Sequence, residues 1–250
     1  MSDTGLNPND LSSNWVLTNL GAVVNYGSTA KAEPSEIAGE DWVLELEDIE
    51  KETSHLLQRM TFAQRQSKST KNRFQAGDVL YGKLRPYLNK VLIVDQAGYC
   101  TTEIVPIEAG LHLDNRYLFY WLKHPAFLKY VEAESHGMNM PRLGTETGRA
   151  APFVLVPRNE QTRIADRIEA RHAAARDQVQ RLTPLLLAKA FRGELVPQDL
   201  NDEPASELLA RISAQRETNT AMKPKRGRGK QAAPAGATIA TSPTTGKKPP

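Results

Sequence analysis

Pro157-Arg-Asn-Glu-Gln-Thr-Arg-Ile164 marks the point where the chain changes character. Asn159 is a good helix N-cap, and Glu160 in the first turn complements the helix dipole. A long helical pattern then runs toward Arg192. Its least polar line is Ile164, Ile168, His172, Ala175, Val179, Leu182 and Leu186, with a mean spacing of about 3.7 residues. Arg163, Arg167, Arg171, Asp177 and Arg181 lie largely off that line. So narrow a stripe cannot be a core by itself and needs a partner helix. Pro184 should kink the helix or end its regular hydrogen bonding. Asn159 to Thr183 gives about 24 helical residues, roughly 36 Å at ~1.5 Å each. After a connector over Gly193–Glu203, Pro204 opens a short helix with Leu208, Leu209 and Ile212 on one face.

Upstream of Pro157 the periods are short and mixed. β-type runs occur at Trp15–Thr18, Trp42–Leu46, Asp78–Leu84, Lys90–Asp95, Tyr99–Ile107 and Phe153–Val156, punctuated by Gly77, Gly82, Pro86 and Gly98. Asp114 can cap a helix with Tyr117, Leu118, Trp121 and Leu122 on one face, and Pro125 opens a second with Phe127, Leu128 and Val131. The fold class expected is α+β. Residues 1–14 form a flexible leader and 15–157 a mixed α/β domain. Residues 158–216 form a coiled-coil-type helical region, and 217–250 a disordered basic tail.

The charge is segregated. The net of +3 over 250 residues averages an acidic body and basic segments. Residues 1–58 hold two basic groups, Lys31 and Lys51, against eleven carboxylates. Residues 59–90 hold eight basic groups against Asp78 alone, and Arg211–Pro250 nine against Glu217. No apolar run approaches the ~20 residues of a membrane span, and no secretory signal is visible, so a cytoplasmic protein is expected. The single cysteine, Cys100, excludes an internal disulfide framework and a cysteine-based zinc cage.

Catalytic motifs are missing. Gly77-Asp-Val-Leu-Tyr-Gly-Lys83 has the spacing of a phosphate loop, but Leu84 stands where the magnesium-binding hydroxyl belongs and the intervening residues read as a strand. His55, His112, His124, His136 and His172 fit no close metal spacing. Glu45, Glu47, Asp48 and Glu50 read as a solvated acidic face. There is no G-x-S-x-G elbow and no Pro-Pro-aromatic methyltransferase loop. A binding protein, or an accessory subunit of an enzyme encoded elsewhere, fits best.

The basic stripe is more informative. Arg59, Arg65, Lys68, Lys71, Arg73, Lys83, Arg85 and Lys90 are interleaved with Gln64, Gln66, Ser67, Ser69, Thr70 and Asn72. These side chains donate to phosphates, and Arg, Gln and Asn can also read base edges with paired hydrogen bonds. Two readings stand by composition: a polar loop that enters a DNA groove, or a solvated loop balancing the acidic N-terminal segment.

Five stretches, in order, resemble the specificity (S) subunit of type I restriction-modification systems. They are Trp42–Glu50, Phe74–Lys90, Gly98-Tyr-Cys-Thr-Thr-Glu-Ile104, Pro157–Ile164, and Ala190–Gln198 continuing through Asn201–Leu209. The resemblance covers roughly Trp15 to Arg216 and implies a non-catalytic subunit. It implies a target-recognition domain that reads one half of a split site in double-stranded DNA, and helices that dock the methyltransferase subunits. A motor-nuclease subunit can join. S-adenosylmethionine, ATP and Mg then belong to the partner subunits, and no cofactor to this chain. Familiar S subunits carry two recognition domains and two helical regions; here there is one of each. It looks like a half subunit, completed by a homodimer or by a different half subunit. A paired helix of this length could act as a ruler between two recognition domains, close to one ~34 Å turn of DNA.

The expected DNA contacts fall in three groups: Arg65, Gln66, Lys68, Lys71 and Arg73; Lys83, Arg85, Tyr87, Asn89 and Lys90; and Asn139 and Arg142 in His136–Arg142. Tyr81 and Tyr87 can equally be core or rim aromatics. Ile164, Ile168, Val179, Leu182, Leu186, Phe191, Leu208, Leu209 and Ile212 are the expected partner surface. Rival readings are the specificity subunit of a fused restriction-methyltransferase system, a scaffold or decoy that binds the methyltransferase without reading DNA, and a self-contained nuclease.

Overall fold

A computed structural model describes residues 6–135, 140–199 and 201–221. The chain falls into two compact units that divide between Thr183 and Pro184. The strands of the first are β1 (Val16–Asn19), β2 (Lys31–Ala32), β3 (Trp42–Leu44), β4 (Met60–Thr61), β5 (Lys71–Phe74), β6 (Val79–Gly82), β7 (Val91–Ile93), β8 (Gly98–Thr101), β9 (Ile104–Ile107) and β10 (Pro152–Leu155). Its helices are α1 (Phe62–Arg65), α2 (Asn115–Leu122), α3 (Pro125–Glu134), α4 (Thr145–Ala150) and α5 (Arg158–Phe191). The unit division falls inside α5. The second unit holds the end of α5 and α6 (Ala205–Ala221). This is the α+β arrangement expected, a mixed body followed by a long helix.

The strands form a five-stranded sheet in the order β2-β5-β8-β3-β4, a three-stranded sheet β7-β6-β9, and the pair β1-β10. β3 and β8 run parallel; the other described pairs are antiparallel. β6 lies between two cores. Val79 and Tyr81 join Val91, Ile107, Leu118, Trp121, Phe127 and Phe153 in one cluster. Leu80, on the opposite face, joins Trp42, Leu44, Ile49, Phe74 and Ile104 in the other. A strand buried on both faces reads as a continuous apolar run, which is why Val79-Leu-Tyr carries no alternation. The phosphate-loop spacing at Gly77–Lys83 is therefore a coincidence of a buried strand.

Several expectations change. Asn159, expected as an N-cap, lies inside α5, whose first N–H groups bond the Pro157 carbonyl. The run Tyr99–Ile107 is two strands: a turn at Thr102–Glu103 passes the chain from the five-stranded sheet to the three-stranded one. The stretch before Phe74, read as a polar loop, contains β5, flanked by β2 and β8. The described part of the expected leader is anchored, with Leu6 and Leu11 packed against the larger core. The N-cap expected at Asp114 and the helix start expected at Pro125 are both present, and His124 supplies the cap of the second helix. The last helix continues through Glu217–Ala221; the remainder of the basic tail lies outside the described residues. Among the described residues no helix is long and apolar enough to cross a membrane.

α5 is mounted on the body by its first three turns: Gln161 and Ala165 are its buried residues, and Arg116 Nη1 donates to Asp166 at 2.7 Å and to Glu169 at 3.1 Å. Gln161 Oε1 accepts from the Asp114 N–H at 2.7 Å, while its Nε2 donates to the carbonyls of Val156 at 2.9 Å and His112 at 3.2 Å. Arg158 Nη1 and Thr162 Oγ1 each donate to Asp114 Oδ2 at 3.0 Å. Trp15 Nε1 donates to Glu160 at 2.7 Å. Burial pushes the Asp114 carboxyl up, but the Thr162, Arg116 backbone and Arg158 hydrogen bonds together outweigh it and hold the group below its ordinary range. The motif that opens the helix is thus a clamp centred on the N-cap of α2.

Candidate nucleic-acid interface

Strand register gathers two of the three expected contact groups at one end of the sheets. Lys71 at the start of β5 pairs with Thr101 at the end of β8, and Gly82 at the end of β6 pairs with Ile104 at the start of β9. The β8–β9 turn therefore lies between the residues that precede β5 and those that come after β6. The Lys83 N–H donates to the Glu103 carbonyl at 2.9 Å. Pro141–Leu143 closes the group: Arg85 N–H donates to Pro141 O at 2.8 Å, and Leu143 N–H to Lys83 O at 3.0 Å. Asn72, buried in β5, ties the two sheets by donating to Ile104 O at 2.8 Å.

α1 is a single turn held by a capping box between Thr61 and Gln64. Gln66 ends it in the left-handed region, at φ 51°, and projects into solvent. Lys68 is also exposed and Lys83 half-buried; among the described residues no side-chain ion pair holds either. Arg85 sits at φ 50°, an uncommon conformation for a residue with a side chain, and its Nε is buried without a partner among the described residues. Tyr87, on the 3-10 turn Pro86–Leu88, is 56% exposed, whereas Tyr81 is a core residue. Gln66, Lys68, Lys83, Arg85 and Tyr87 are thus presented outward or at the rim.

Of the other expected contacts, Arg65, Lys71, Arg73, Lys90 and Arg142 are engaged within the chain. Arg65 pairs with Asp48 and lies 3.6 Å from Glu45; its side chain is 11% exposed and that of Asp48 0%. Asp48 also accepts from Gln58 Nε2 at 2.8 Å and from the Glu45 N–H at 2.7 Å. The acidic run at Glu45–Glu50 is therefore not wholly a solvated face. Lys71 is buried because it belongs to β5; its Nζ donates to Ser67 Oγ at 2.5 Å and to Ser69 Oγ at 2.8 Å. Burial lowers the Lys71 pKa, with Glu45 pulling the other way. Arg73 donates to Tyr99 Oη at 3.2 Å and lies 3.6 Å from Glu36. Lys90 Nζ donates to Leu46 O at 2.6 Å. Asn89 is buried in the left-handed region, and Arg142 donates to Glu103 at 3.1 Å. Asn139 lies outside the described residues. Sequence reasoning did not foresee Asp48 and Glu103 as partners of basic groups, although both stand in stretches that carry the resemblance.

The expected partner stripe divides. Ile164 packs against this chain's own core, and Ile168 lines an apolar cleft of about 230 Å³ with Trp15, Tyr117, Trp121 and His124. Val179 and Leu182 stand exposed on the same helix. In the second unit Leu186, Phe191, Leu208, Leu209 and Ile212 are exposed as well. Among the described residues no group of three or more His, Cys, Asp or Glu side chains could hold a metal ion.

Residues 13–176 match the family model described as the type I restriction modification DNA specificity domain. Over 176 residues the chain is 31% identical to the type I restriction enzyme EcoDI specificity subunit of Escherichia coli, covering 63% of this chain and 39% of that protein. A 38-residue segment is 60% identical to the EcoAI specificity subunit of Escherichia coli, covering 15% of this chain and 6% of that one. The chain thus spans well under half the length of these curated relatives. The crystal structure of the HsdS subunit from Thermoanaerobacter tengcongensis has a similar fold, with a TM-score of 0.61 at 20% identity, over 79% of this chain and 53% of that one. A structure of a type I restriction-modification system, solved for its assembly and conformational transition, matches at TM-score 0.62 and 21% identity with the same coverage.

Proposed function

The chain belongs to the type I restriction-modification DNA specificity family, and on that premise we propose that it reads one half of a bipartite DNA site and docks the methyltransferase subunits that act there. Specificity subunits of this family are non-catalytic; catalytic activity lies in other subunits. S-adenosylmethionine, ATP and Mg accordingly belong with the methyltransferase and motor-nuclease partners. The second half-site is read by a second recognition domain, in another copy of this chain or in a different one. The assembly works in the cytoplasm.

The observation that carries this reading is the convergence of the Gln66–Thr70 loop, the β8–β9 turn and the Lys83–Leu88 segment at one end of the sheets. Exposed Gln66 and Lys68 stand there with Lys83, Arg85 and Tyr87, the side-chain chemistry that phosphates and base edges accept. Residues 15–157 serve as the recognition domain and 158–216 as the helical docking region. The exposed Val179 and Leu182 support that second role.

Methylation mapping of the host genome, with and without the gene, tests the proposal. The expected result is one interrupted motif whose methylation disappears on deletion. An unchanged methylation map would overturn it. A motif that is an inverted repeat points to two copies of this chain. Inserting whole helical turns before Pro184 should widen the gap between the half-sites; a fixed gap would refute the ruler.

A further inference from the structure

We propose that Arg65 and Lys71 are positioning residues for sequence readout and do not contact DNA. Each ties one foot of the Gln66–Thr70 loop to the body beneath it, so that Gln66 and Lys68 at the tip meet the duplex in one fixed register. The inference rests on the DNA-reading role proposed above and assigns its geometry.

By composition Arg65 and Lys71 are the obvious phosphate ligands, yet neither side chain is available. The Arg65 guanidinium is spent on Asp48, a fully buried carboxylate also held by Gln58 and the Glu45 N–H. Turning Arg65 toward a phosphate would leave that carboxylate without its counter-charge, at a cost an exposed phosphate contact does not offset. On the other foot, Lys71 rises from β5 and donates to the hydroxyls of both Ser67 and Ser69. A buried ammonium grips the loop from below while its backbone stays in the ladder opposite Thr101.

Between those feet the chain reverses at Gln66, in the left-handed region, and Gln66 and Lys68 point to solvent. A Gln carboxamide can make two hydrogen bonds to an adenine edge in the major groove, and a Lys is a point charge for phosphate. A short polar loop that had to order on binding would lose affinity to chain entropy; one already tied at both ends does not.

Two contact models make opposite predictions for Asp48. If Arg65 touched phosphate, Asp48→Asn would remove a competing negative charge and strengthen binding to every duplex. If Arg65 is a pin, Asp48→Asn should act like Arg65→Gln and impair discrimination.

The test uses the full chain. A randomised duplex library yields the preferred sequence, and binding to that duplex and to a scrambled one is measured over a range of salt. For Arg65→Gln and Asp48→Asn we expect the preference for the selected duplex to fall tenfold or more, with an unchanged salt slope on the scrambled one. Ser67→Ala/Ser69→Ala, which leaves the buried Asp48 untouched, should do the same, and adding Lys71→Met to it should cost nothing further. The proposal is overturned if Arg65→Gln lowers the salt slope by about 0.9 and Asp48→Asn tightens binding. It is equally overturned if the serine variant discriminates as well as the wild type. A wild-type chain that selects no sequence at all would sink the DNA-reading role itself, a different failure from variants that keep their discrimination.

Discussion

Gln161 on the long helix and Asp114 at the cap of α2 are joined through the Asp114 N–H and Gln161 Oε1 at 2.7 Å, 47 positions apart in the chain. The same Gln161 amide reaches two carbonyls, and the same Asp114 carboxylate takes Arg158 and Thr162. The helix is therefore seated by polar groups that satisfy one another in a buried place.

Replacing Gln161 by Leu should leave one buried donor and two carbonyls without partners. Each such group costs about 1–3 kcal/mol. Denaturant unfolding should show a loss of at least about 2 kcal/mol, and a change within error would mean the clamp carries no stability.

Asp114 gives a pH signature. Its carboxyl is held below its ordinary range, so its contribution is fully present above the unfolded value of about 3.9. That contribution is lost as pH falls through the lower folded value. Asp114→Asn keeps a capping oxygen for the Arg116 N–H and removes the charge. Stability measured between about pH 2 and 5 should fall less steeply with acid in the variant than in the wild type. Parallel acid limbs would exclude the ion pairs as the cause.

Lys68 and Lys83 carry no side-chain ion pair among the described residues, and they flank the end of the sheets proposed to face DNA. Lys68→Gln and Lys83→Gln should each reduce the salt slope of DNA binding by about 0.9 and weaken all sequences alike. A slope that does not move would place the duplex elsewhere.

The two ends of the apolar stripe should respond differently to charge. Ile164→Asp puts a carboxylate against the core cluster and should lower the melting temperature of the recognition domain. Leu182→Asp, on a side chain 45% exposed, should leave that melting unchanged and weaken self-association or methyltransferase docking. Sedimentation beside thermal melting separates the two, and an equal effect on melting would show that the stripe is one intrachain surface.

Local chemistry was legible in the sequence. Asp114 before an apolar face and Pro125 at a first turn act through neighbours one to four positions away, and both helices start where the pattern put them. The apolar run Val79–Tyr81 betrayed a strand in spite of the Gly-Lys spacing. Pairing across the fold was not legible. Lys71 and Asn72 are polar residues in a polar stretch, and their burial is imposed by β2 and β8 on either side. Arg65 reads as a free cation until Asp48, 17 positions earlier, is brought beneath it. The composition of the basic stripe thus pointed to a region but did not separate side chains that face outward from those that hold the region up.

Because the body engages α5 over its first three turns, as far as Ile168 and Glu169, the turns beyond them make no hydrogen bond or ion pair with it among the described residues. Lengthening or shortening the helix past Glu169 need not be compensated inside the recognition domain, and a new recognition surface need not be matched by a new helix. Under the proposed function, what is read and how far apart it is read would then be inherited, lost or exchanged as separate traits, with the seam at the Pro157–Ile164 motif.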